Sequence, residues 1–324
     1  MPKKTLYIIL LILSGIIIIG GLIWYFVLKP QEATTPTAGV DFTVPGQAKR
    51  GTNLEVISEG RVLSLSENSG IISFYDFKGQ LWQLNEAEEK PSLVNQAPSP
   101  NLSEIIWPKV FSPDGKKTVY QKNNGLFTSD QNGKNQKTLV SDQKLKDVVL
   151  KWPTTNNIAL ISKPSGLFAG GLWFLDIRNL GISKIIDGFG LEILFLPNGQ
   201  GFVYSYTDQN GKKLQLALYD KNKNIKIINN VSTLVDKCAW AKDLVNIYCA
   251  IPKSWPDFAI LPDDYYKNAF STNDDVWKIN TETGEKYLIA ESTGDISNLA
   301  VSEDESALFF ISKENQFLYK LNLK

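Results

Sequence analysis

The sequence contains no histidine among its 324 residues. Without an imidazole it lacks the commonest general base of hydrolases and the commonest nitrogen ligand for zinc, copper or iron. Its two cysteines alone cannot complete a closed zinc site. The sequence therefore predicts no catalytic residue, no metal site and no cofactor, and we expect a protein that is not an enzyme.

An excess of charge of either sign is also absent. The 34 basic side chains balance the 34 acidic ones, so no overall field favours a polyanion, and we predict no nucleic-acid partner. Hydrophobic residues make up 43% of the chain, which is typical of a protein that folds around a core.

One long uncharged apolar run stands at the N-terminus. Thr5 to Leu28 contains no charged residue, and a helix of this length crosses a hydrocarbon core of roughly 30 Å. The run exceeds the apolar region of a cleaved signal peptide, and no A-x-A-type cleavage site follows it. Lys3 and Lys4 outweigh Lys29 beyond the run, so we expect residues 1–4 in the cytoplasm and the remainder outside, on an uncleaved single-pass anchor.

Residues 29–52 have the composition of a linker, with three prolines and three closely spaced threonines. The remaining residues, 53–324, are organised as a repeat. In each unit an apolar or aromatic residue precedes a polar turn, and the first five turns are evenly spaced. These turns begin at Leu65, Phe111, Trp152, Leu196, Trp240 and Val301.

A β-rich run follows each turn, and a second run with an aromatic beside an aliphatic residue follows that one, as in Leu172-Trp173-Phe174. A short fourth run completes every unit except the sixth, which ends with the chain. Asn53 to Ser58 has strand character and no partner of its own, so we expect it to complete the sixth unit. The pattern predicts an all-β, six-bladed β-propeller; a seventh blade would require a degenerate unit in the long interval between Trp240 and Val301.

The segment Phe111-Ser112-Pro113-Asp114-Gly115 and the residues after it resemble the repeat of TolB-type and WD-like bacterial β-propellers. The repeat architecture is similar over residues 53–324, and the complete turn motif occurs in one unit. It implies an extracytoplasmic scaffold that binds other proteins in a bacterial cell envelope. The chain departs from TolB in its predicted anchor and in having no room for a separate N-terminal α/β domain.

The two cysteines, Cys238 and Cys249, lie on the first and second strands of the fifth unit. A hairpin turn centred on Asp243-Leu244 would place them opposite each other, near the distance that a disulfide requires. Because the anchor orientation places this domain outside the cytoplasm, we predict a disulfide rather than two free thiols.

The fifth unit also contains a long connection, from Pro252 to Asp274. Loops of this length are usually functional or disordered, and its aromatic content argues against disorder. We predict a partner-binding surface made of Trp255, Asp257, Phe258, Asp263, Asp264, Tyr265, Tyr266 and Phe270. Aromatic side chains that merely cover the blade are an equal alternative. Asp263 and Asp264 are adjacent and should point apart, so we do not interpret them as an acid–base pair.

These observations favour a membrane-anchored β-propeller that acts as a protein-interaction or scaffolding module of the cell envelope. The alternative is a carbohydrate-binding or carbohydrate-active propeller that uses the 252–274 loop and binds a glycan. The sequence identifies neither the protein partner nor the ligand.

Overall fold

The protein was analysed as a computed structural model that describes residues 54–323, except 69, 86–87, 89, 95–109, 123–124 and 142–147. The predicted stub 1–4, the predicted membrane span Thr5–Leu28 and the linker 29–52 lie outside the described residues. Within the described part of the chain, no helix combines the length and the apolar character needed to cross a bilayer.

The fold is all-β, as predicted, and every strand pair is antiparallel. The first described strands are β1 (Leu54–Val56), β2 (Val62–Asn68), β3 (Ile71–Asp76), β4 (Leu81–Asn85), β5 (Ser92–Leu93), β6 (Val110–Phe111), β7 (Lys117–Lys122), β8 (Gly125–Asp130), β9 (Lys137–Val140), β10 (Val149–Thr154), β11 (Asn157–Ile161) and β12 (Gly170–Asp176). The later strands are β13 (Ile182–Phe195), β14 (Phe202–Thr207), β15 (Gln215–Tyr219), β16 (Ile225–Ile228), β17 (Cys238–Trp240), β18 (Asn246–Pro252), β19 (Asp274–Asn280), β20 (Lys286–Ala290), β21 (Ile296–Val301), β22 (Ala307–Ser312) and β23 (Leu318–Asn322).

In the described residues these strands form five sheets. Four sheets have four strands each: β2 to β5, β6 to β9, β17 to β20, and β1 with β21 to β23. The fifth has seven strands, β10 to β16, because the 14-residue β13 pairs with β12 through its first half and with β14 through its second. Two helical turns interrupt the pattern, a 3-10 helix at Val235–Lys237 and α1 at Asp263–Tyr266.

Apolar side chains pack between the faces of successive groups of strands. Ile72 and Phe74 of β3, for example, pack with Phe309 and Ile311 of β22. Alternate residues of a strand point to opposite faces, so each central strand contributes side chains to two such clusters. The second strand of the last unit, β22, is the most buried example, with all six of its residues buried.

The turn that carries the TolB-type resemblance is a β-turn between β6 and β7. The Ser112 hydroxyl donates to Asp114 at 2.6 Å, and the Lys117 backbone N–H donates to the same Ser112 Oγ at 2.9 Å. Gly115 has φ +69°, a conformation that favours glycine. The last unit builds the same turn from Ser302 and Asp304, with Glu305 at φ +53° in the place of glycine.

The predicted disulfide between Cys238 and Cys249 is present. The two residues are direct cross-strand partners in the β17–β18 pair, and both are buried. The connecting loop has four residues rather than the two that the sequence suggested, since the Ala241 N–H donates to the Asn246 carbonyl. Its centre is nevertheless at Asp243-Leu244, so the predicted register is correct.

The strand expected within Asn53 to Ser58 pairs with the last unit. β1 lies antiparallel to β23, with Val56 opposite Tyr319. Beyond the strand, the Ile57 N–H donates to the Leu318 carbonyl at 2.8 Å, and Ser58 Oγ accepts from the Leu318 N–H at 3.0 Å. The two ends of the domain are therefore joined in one sheet, which leaves no free edge on β23.

Replacing residues 54–58 with a glycine–serine segment of equal length should destabilise the domain. The change removes the apolar side chains of Leu54 and Ile57 from two clusters and weakens the pairing with β23. We expect the Tm to fall by at least about 5 °C, since each kcal/mol shifts it by about 2–4 °C in a domain of this size. Val56→Ser, at a side chain that is 55% exposed, is the matched control. Equal melting temperatures for both variants in a thermal-unfolding measurement would contradict closure through β1.

Candidate functional site

Three connections between second and third strands converge at one side of the domain. They are 162–169 between β11 and β12, 208–214 between β14 and β15, and 253–273 between β18 and β19. The Lys212 ammonium group donates to the carbonyls of Asp257 and Ala259, at 2.6 and 2.5 Å. The Leu261 N–H donates to the Gly211 carbonyl at 2.9 Å. The long predicted loop is therefore held in place by its neighbours.

The two acidic neighbours in the long loop have separate structural partners. Asp263 accepts hydrogen bonds from the Ser165 hydroxyl at 3.0 Å and from the Gly166 N–H at 2.6 Å, which joins two of the converging connections. Asp264 accepts from the Ile260 N–H within its own loop at 2.8 Å. Both carboxylates organise the backbone, and they do not act as a pair.

Three aromatic side chains of the loop pack inward. Tyr265 is fully buried, and Trp255 and Phe270 meet its ring and each other in edge-to-face or tilted contacts. The Trp255 indole N–H donates to the Ser232 carbonyl at 3.1 Å. These rings cover an apolar cluster with Leu214, Leu234 and Leu261 at its centre. These three of the eight predicted residues therefore cover the blade, as the alternative interpretation described.

Three other residues of the predicted set lie at the surface. Phe258 is 69% exposed, Tyr266 is 44% exposed, and Asp257 is exposed beside them in sequence. A neighbouring connection adds Phe168, which is 76% exposed, and Leu167. Leu167 and Phe168 were not predicted from the sequence, although an apolar pair directly after Pro164-Ser165-Gly166 was an available signal. We call Phe168 and Phe258 the exposed phenylalanines.

A buried ammonium group lies beneath the loop. Lys237 is inaccessible to solvent, and its Nζ lies 2.7 Å from Asp274 and 2.8 Å from Asp295. The same Nζ contacts the Thr272 hydroxyl at 3.2 Å and the Ile296 carbonyl at 2.8 Å. This lysine precedes β17, whereas its partners belong to β19 and to the segment that enters β21, so one cation joins two sheets. The sequence analysis did not identify it.

Tyr265 completes this charged cluster. Its hydroxyl donates to Asp295 at 2.8 Å, and the Lys237 ammonium group lies 4.7 Å from the centre of its ring. Burial alone would raise the pKa of Asp295, but Lys237 and the donors around it hold that pKa below its ordinary value. Burial raises the pKa of Asp274, although Lys237 acts in the opposite direction. The central loop aromatic is therefore part of a buried ionic network.

A cavity of about 590 Å³ lies where the first strands of the units approach one another. Residues of β2, β10, β13, β17 and β21 line it, together with Tyr266 from the long loop. Its charged lining includes Lys151, Glu192 and Asp236. Desolvation lowers the pKa of Lys151, although this side chain keeps accessible surface in the cavity. In the described residues, Lys151 forms no ion pair with Glu192 or Asp236, although all three side chains line the same cavity.

Glu192 is buried in the cavity wall, with an exposed fraction of 7%. Neither of its carboxylate oxygens makes a hydrogen bond with ordinary geometry. Desolvation, followed by the nearby charge of Asp236, raises its pKa well above the ordinary value. The hydroxyl groups of Tyr266 and Ser205 act in the opposite direction, and the Ser205 hydroxyl is itself buried without a hydrogen-bond partner.

Asp236 lies beside Glu192 and is partly exposed. Its Oδ1 is buried and unpaired, and desolvation raises its pKa to about 6 in spite of the charges of Lys237 and Lys313. Two carboxyl groups whose protonation is perturbed by burial, in a cavity, are typical of a functional site. Among the described residues, no group of three His, Cys, Asp or Glu side chains is arranged to hold a metal ion.

Comparison with protein-family models and with curated proteins gives no match. Solved structures do match. A putative TolB from Agrobacterium tumefaciens aligns with 82% of this chain and 92% of its own, at 11% identity and a TM-score of 0.50. An oligogalacturonate lyase from Vibrio parahaemolyticus aligns with 79% of this chain and 75% of its own, at 9% identity and a TM-score of 0.50.

TolB from Acinetobacter baumannii aligns with 81% of this chain at 16% identity and a TM-score of 0.45, and the chain spans only 63% of that protein. The two matches with a TM-score of 0.50 show similarity of fold alone, and the fold is that of a TolB-like β-propeller. Because the matching structures include a lyase, the fold by itself does not distinguish a binding protein from an enzyme.

The buried carboxyl groups of the cavity should make the protein less stable as the pH rises. Their pKa values in the folded state exceed the unfolded values, so between about pH 4 and pH 6 the folded protein binds more protons than the unfolded chain, and the free energy of unfolding falls with pH. Glu192→Gln removes one of the charges. We expect this variant to melt a few degrees above the wild type at about pH 8, since a buried unsatisfied group costs about 1–3 kcal/mol.

The difference in Tm should shrink as the pH is lowered, because the wild-type carboxyl groups then become protonated. Glu291→Gln, at an exposed side chain, is the matched control and should melt with the wild type at every pH. A Glu192→Gln variant that melts at or below the wild-type temperature at high pH would contradict this account.

Proposed function

We propose that this protein is a membrane-anchored, extracytoplasmic β-propeller that binds a protein partner in the cell envelope through its converging connections. The observation that carries the proposal is the exposure of Phe168 and Phe258, at 76% and 69%, on connections held by many internal bonds. Large exposed apolar side chains on rigid loops favour binding, because association buries them and little conformational entropy is lost.

The proposal includes six blades. The seven-stranded sheet divides within β13, where the pairing register shifts between Phe189 and Glu192. Each half of this sheet then has four strands, like the other four sheets of the described residues. On this reading β13 supplies the last strand of one blade and the first strand of the next.

Membrane anchoring and location rest on sequence. The uncharged run from Thr5 to Leu28 has the length of a membrane span, and the lysines around it favour an external domain. The disulfide between Cys238 and Cys249 supports this location, because such bonds persist in oxidising compartments. No catalytic role is proposed, and a glycan is the alternative ligand for the same exposed side chains.

A topology experiment tests the location. In spheroplasts of a bacterial cell that produces the full chain, added protease should digest the domain and leave the first residues protected. A cytoplasmic protein is the control for intact membranes. Protection of the domain, or a mature N-terminus beyond residue 30, would contradict the proposed anchor.

Photo-crosslinking tests the binding surface. With p-benzoylphenylalanine in place of Phe168 or Phe258, the anchored protein should form a discrete adduct with one envelope protein in its native membrane. Placement at Ile225 or Tyr287, which are 57% and 62% exposed on outer strands, is the matched control and should give no such adduct. Phe168→Ala combined with Phe258→Ala should reduce adduct formation from a probe at Tyr266 by about tenfold or more, as expected for loss of more than about 1.4 kcal/mol of binding free energy.

Absence of a discrete adduct at both positions would contradict the proposed interaction surface. Binding of the purified protein on a glycan array, lost in the same double variant, would favour the carbohydrate alternative. Deleting 253–273 would not be informative, because Tyr265 and Leu261 belong to the core beneath the loop.

A further inference from the structure

We propose that Glu192, Asp236 and Tyr266 form a binding site for the primary ammonium group of a ligand that enters the central cavity. All three side chains line this cavity. Phe168 and Phe258 do not line this cavity. The site can therefore be tested with small amines before the protein partner is known.

The Tyr266 and Ser205 hydroxyls and the Val235 N–H lie near the oxygens of Glu192, but none of them forms a hydrogen bond of ordinary geometry with these oxygens. Both carboxylate oxygens of Glu192, the Oδ1 of Asp236 and the hydroxyl of Ser205 are buried without a hydrogen-bond partner. Ser205 is the cross-strand partner of Glu192, so the two side chains lie on the same face of the sheet. Buried polar groups are ordinarily satisfied, and a group of unpaired acceptors beside a cavity indicates a missing donor.

The Lys237 cluster shows what such a donor looks like in this protein. There an ammonium group is bound by the carboxylates of Asp274 and Asp295, by the Thr272 hydroxyl and beside the Tyr265 ring. The cavity cluster repeats this set with two carboxylates, a hydroxyl and a tyrosine, but among the described residues no lysine or arginine bonds to it.

Two pairs of adjacent residues link the clusters. Asp236 and Lys237 are neighbours in sequence, as are Tyr265 and Tyr266, and in each pair one residue belongs to the ionic network while the other lines the cavity. The network thereby fixes the backbone on which two of the three site residues stand.

The donor set fits an ammonium group better than a divalent cation. An ammonium group on a single stem has three N–H donors, which two carboxylates and a hydroxyl can accept. Calcium takes six to eight oxygen ligands, and among the described residues no three His, Cys, Asp or Glu side chains lie close enough together to hold a metal ion. The cavity volume of about 590 Å³ is ample for an extended side chain of lysine size.

Access to the site involves Tyr266. The oxygens of Glu192 have almost no accessible surface, whereas Asp236 and Tyr266 remain partly exposed. An entering ammonium group would therefore meet Asp236 first and reach Glu192 as the Tyr266 side chain turns aside. Binding would pair the carboxylates in their charged form and remove the cost of leaving them unpaired.

Thermal unfolding of the full chain in detergent, at about pH 7.5, tests the proposal. Methylammonium chloride at about 100 mM should raise the Tm by at least about 2 °C relative to sodium chloride at equal ionic strength, because a ligand that binds only the folded state stabilises it. Tetramethylammonium, which has no N–H donor, should give no such shift. A lysine-containing peptide should also be tested. If it raises the Tm at a much lower concentration than methylammonium, the natural ligand is a lysine side chain of a protein. If it needs the same concentration, the natural ligand is a small amine.

The double variant Glu192→Gln, Asp236→Asn should lose the methylammonium shift. Glu291→Gln combined with Glu314→Gln removes two exposed carboxylates and should retain it. The proposal fails if methylammonium has no effect beyond that of sodium, if the shift persists in the first double variant, or if about 10 mM calcium stabilises the wild type and methylammonium does not. Failure here would leave crosslinking from Phe168 and Phe258 unaffected, so the two proposals are tested separately.

Discussion

The buried ammonium group of Lys237 is the interaction on which the geometry of the binding face depends. An ion removed from water is tolerated only when acceptors surround it, and loss of one partner of such a group costs about 3–5 kcal/mol. Here the acceptors come from the entry into β19 and from the entry into β21, so the positions of these two segments are mutually constrained. This constraint fixes the position of Tyr265, which bonds to Asp295, and with it the position of the adjacent Tyr266.

The repeat was predictable because its determinants are local. An apolar strand, a polar turn and a second apolar strand recur along the chain, and each pattern identifies its own strand without knowledge of distant residues. The Cys238–Cys249 bond followed from the same reasoning, since the register of a hairpin is set by the position of its turn. The pairing of β1 with β23 could be predicted because the sixth unit has only three strands and β1 belongs to no other unit.

The site was less predictable because its determinants are distant in sequence. Nothing near Lys237 indicates that it is buried, and its partners lie more than thirty residues away. Glu192 stands within an apolar strand whose inward face becomes a cavity wall only when other strands surround it. The long loop shows the same difficulty. A partner-binding loop and a loop that packs over a blade have the same aromatic composition. Only the tertiary contacts show that Phe258 is exposed and Tyr265 is buried.

The uninterrupted strand β13 has a consequence for how the domain opens. In most of the chain a connection separates the last strand of one unit from the first strand of the next, and such connections allow neighbouring units to exchange with solvent independently. β13 has no such connection, because this single strand pairs with β12 as far as Gly188 and with β14 from Phe189 onward. Amide protons of β10 to β16 should therefore exchange as one cooperative unit, and the wall that carries Glu192 opens only when two neighbouring sheets open together.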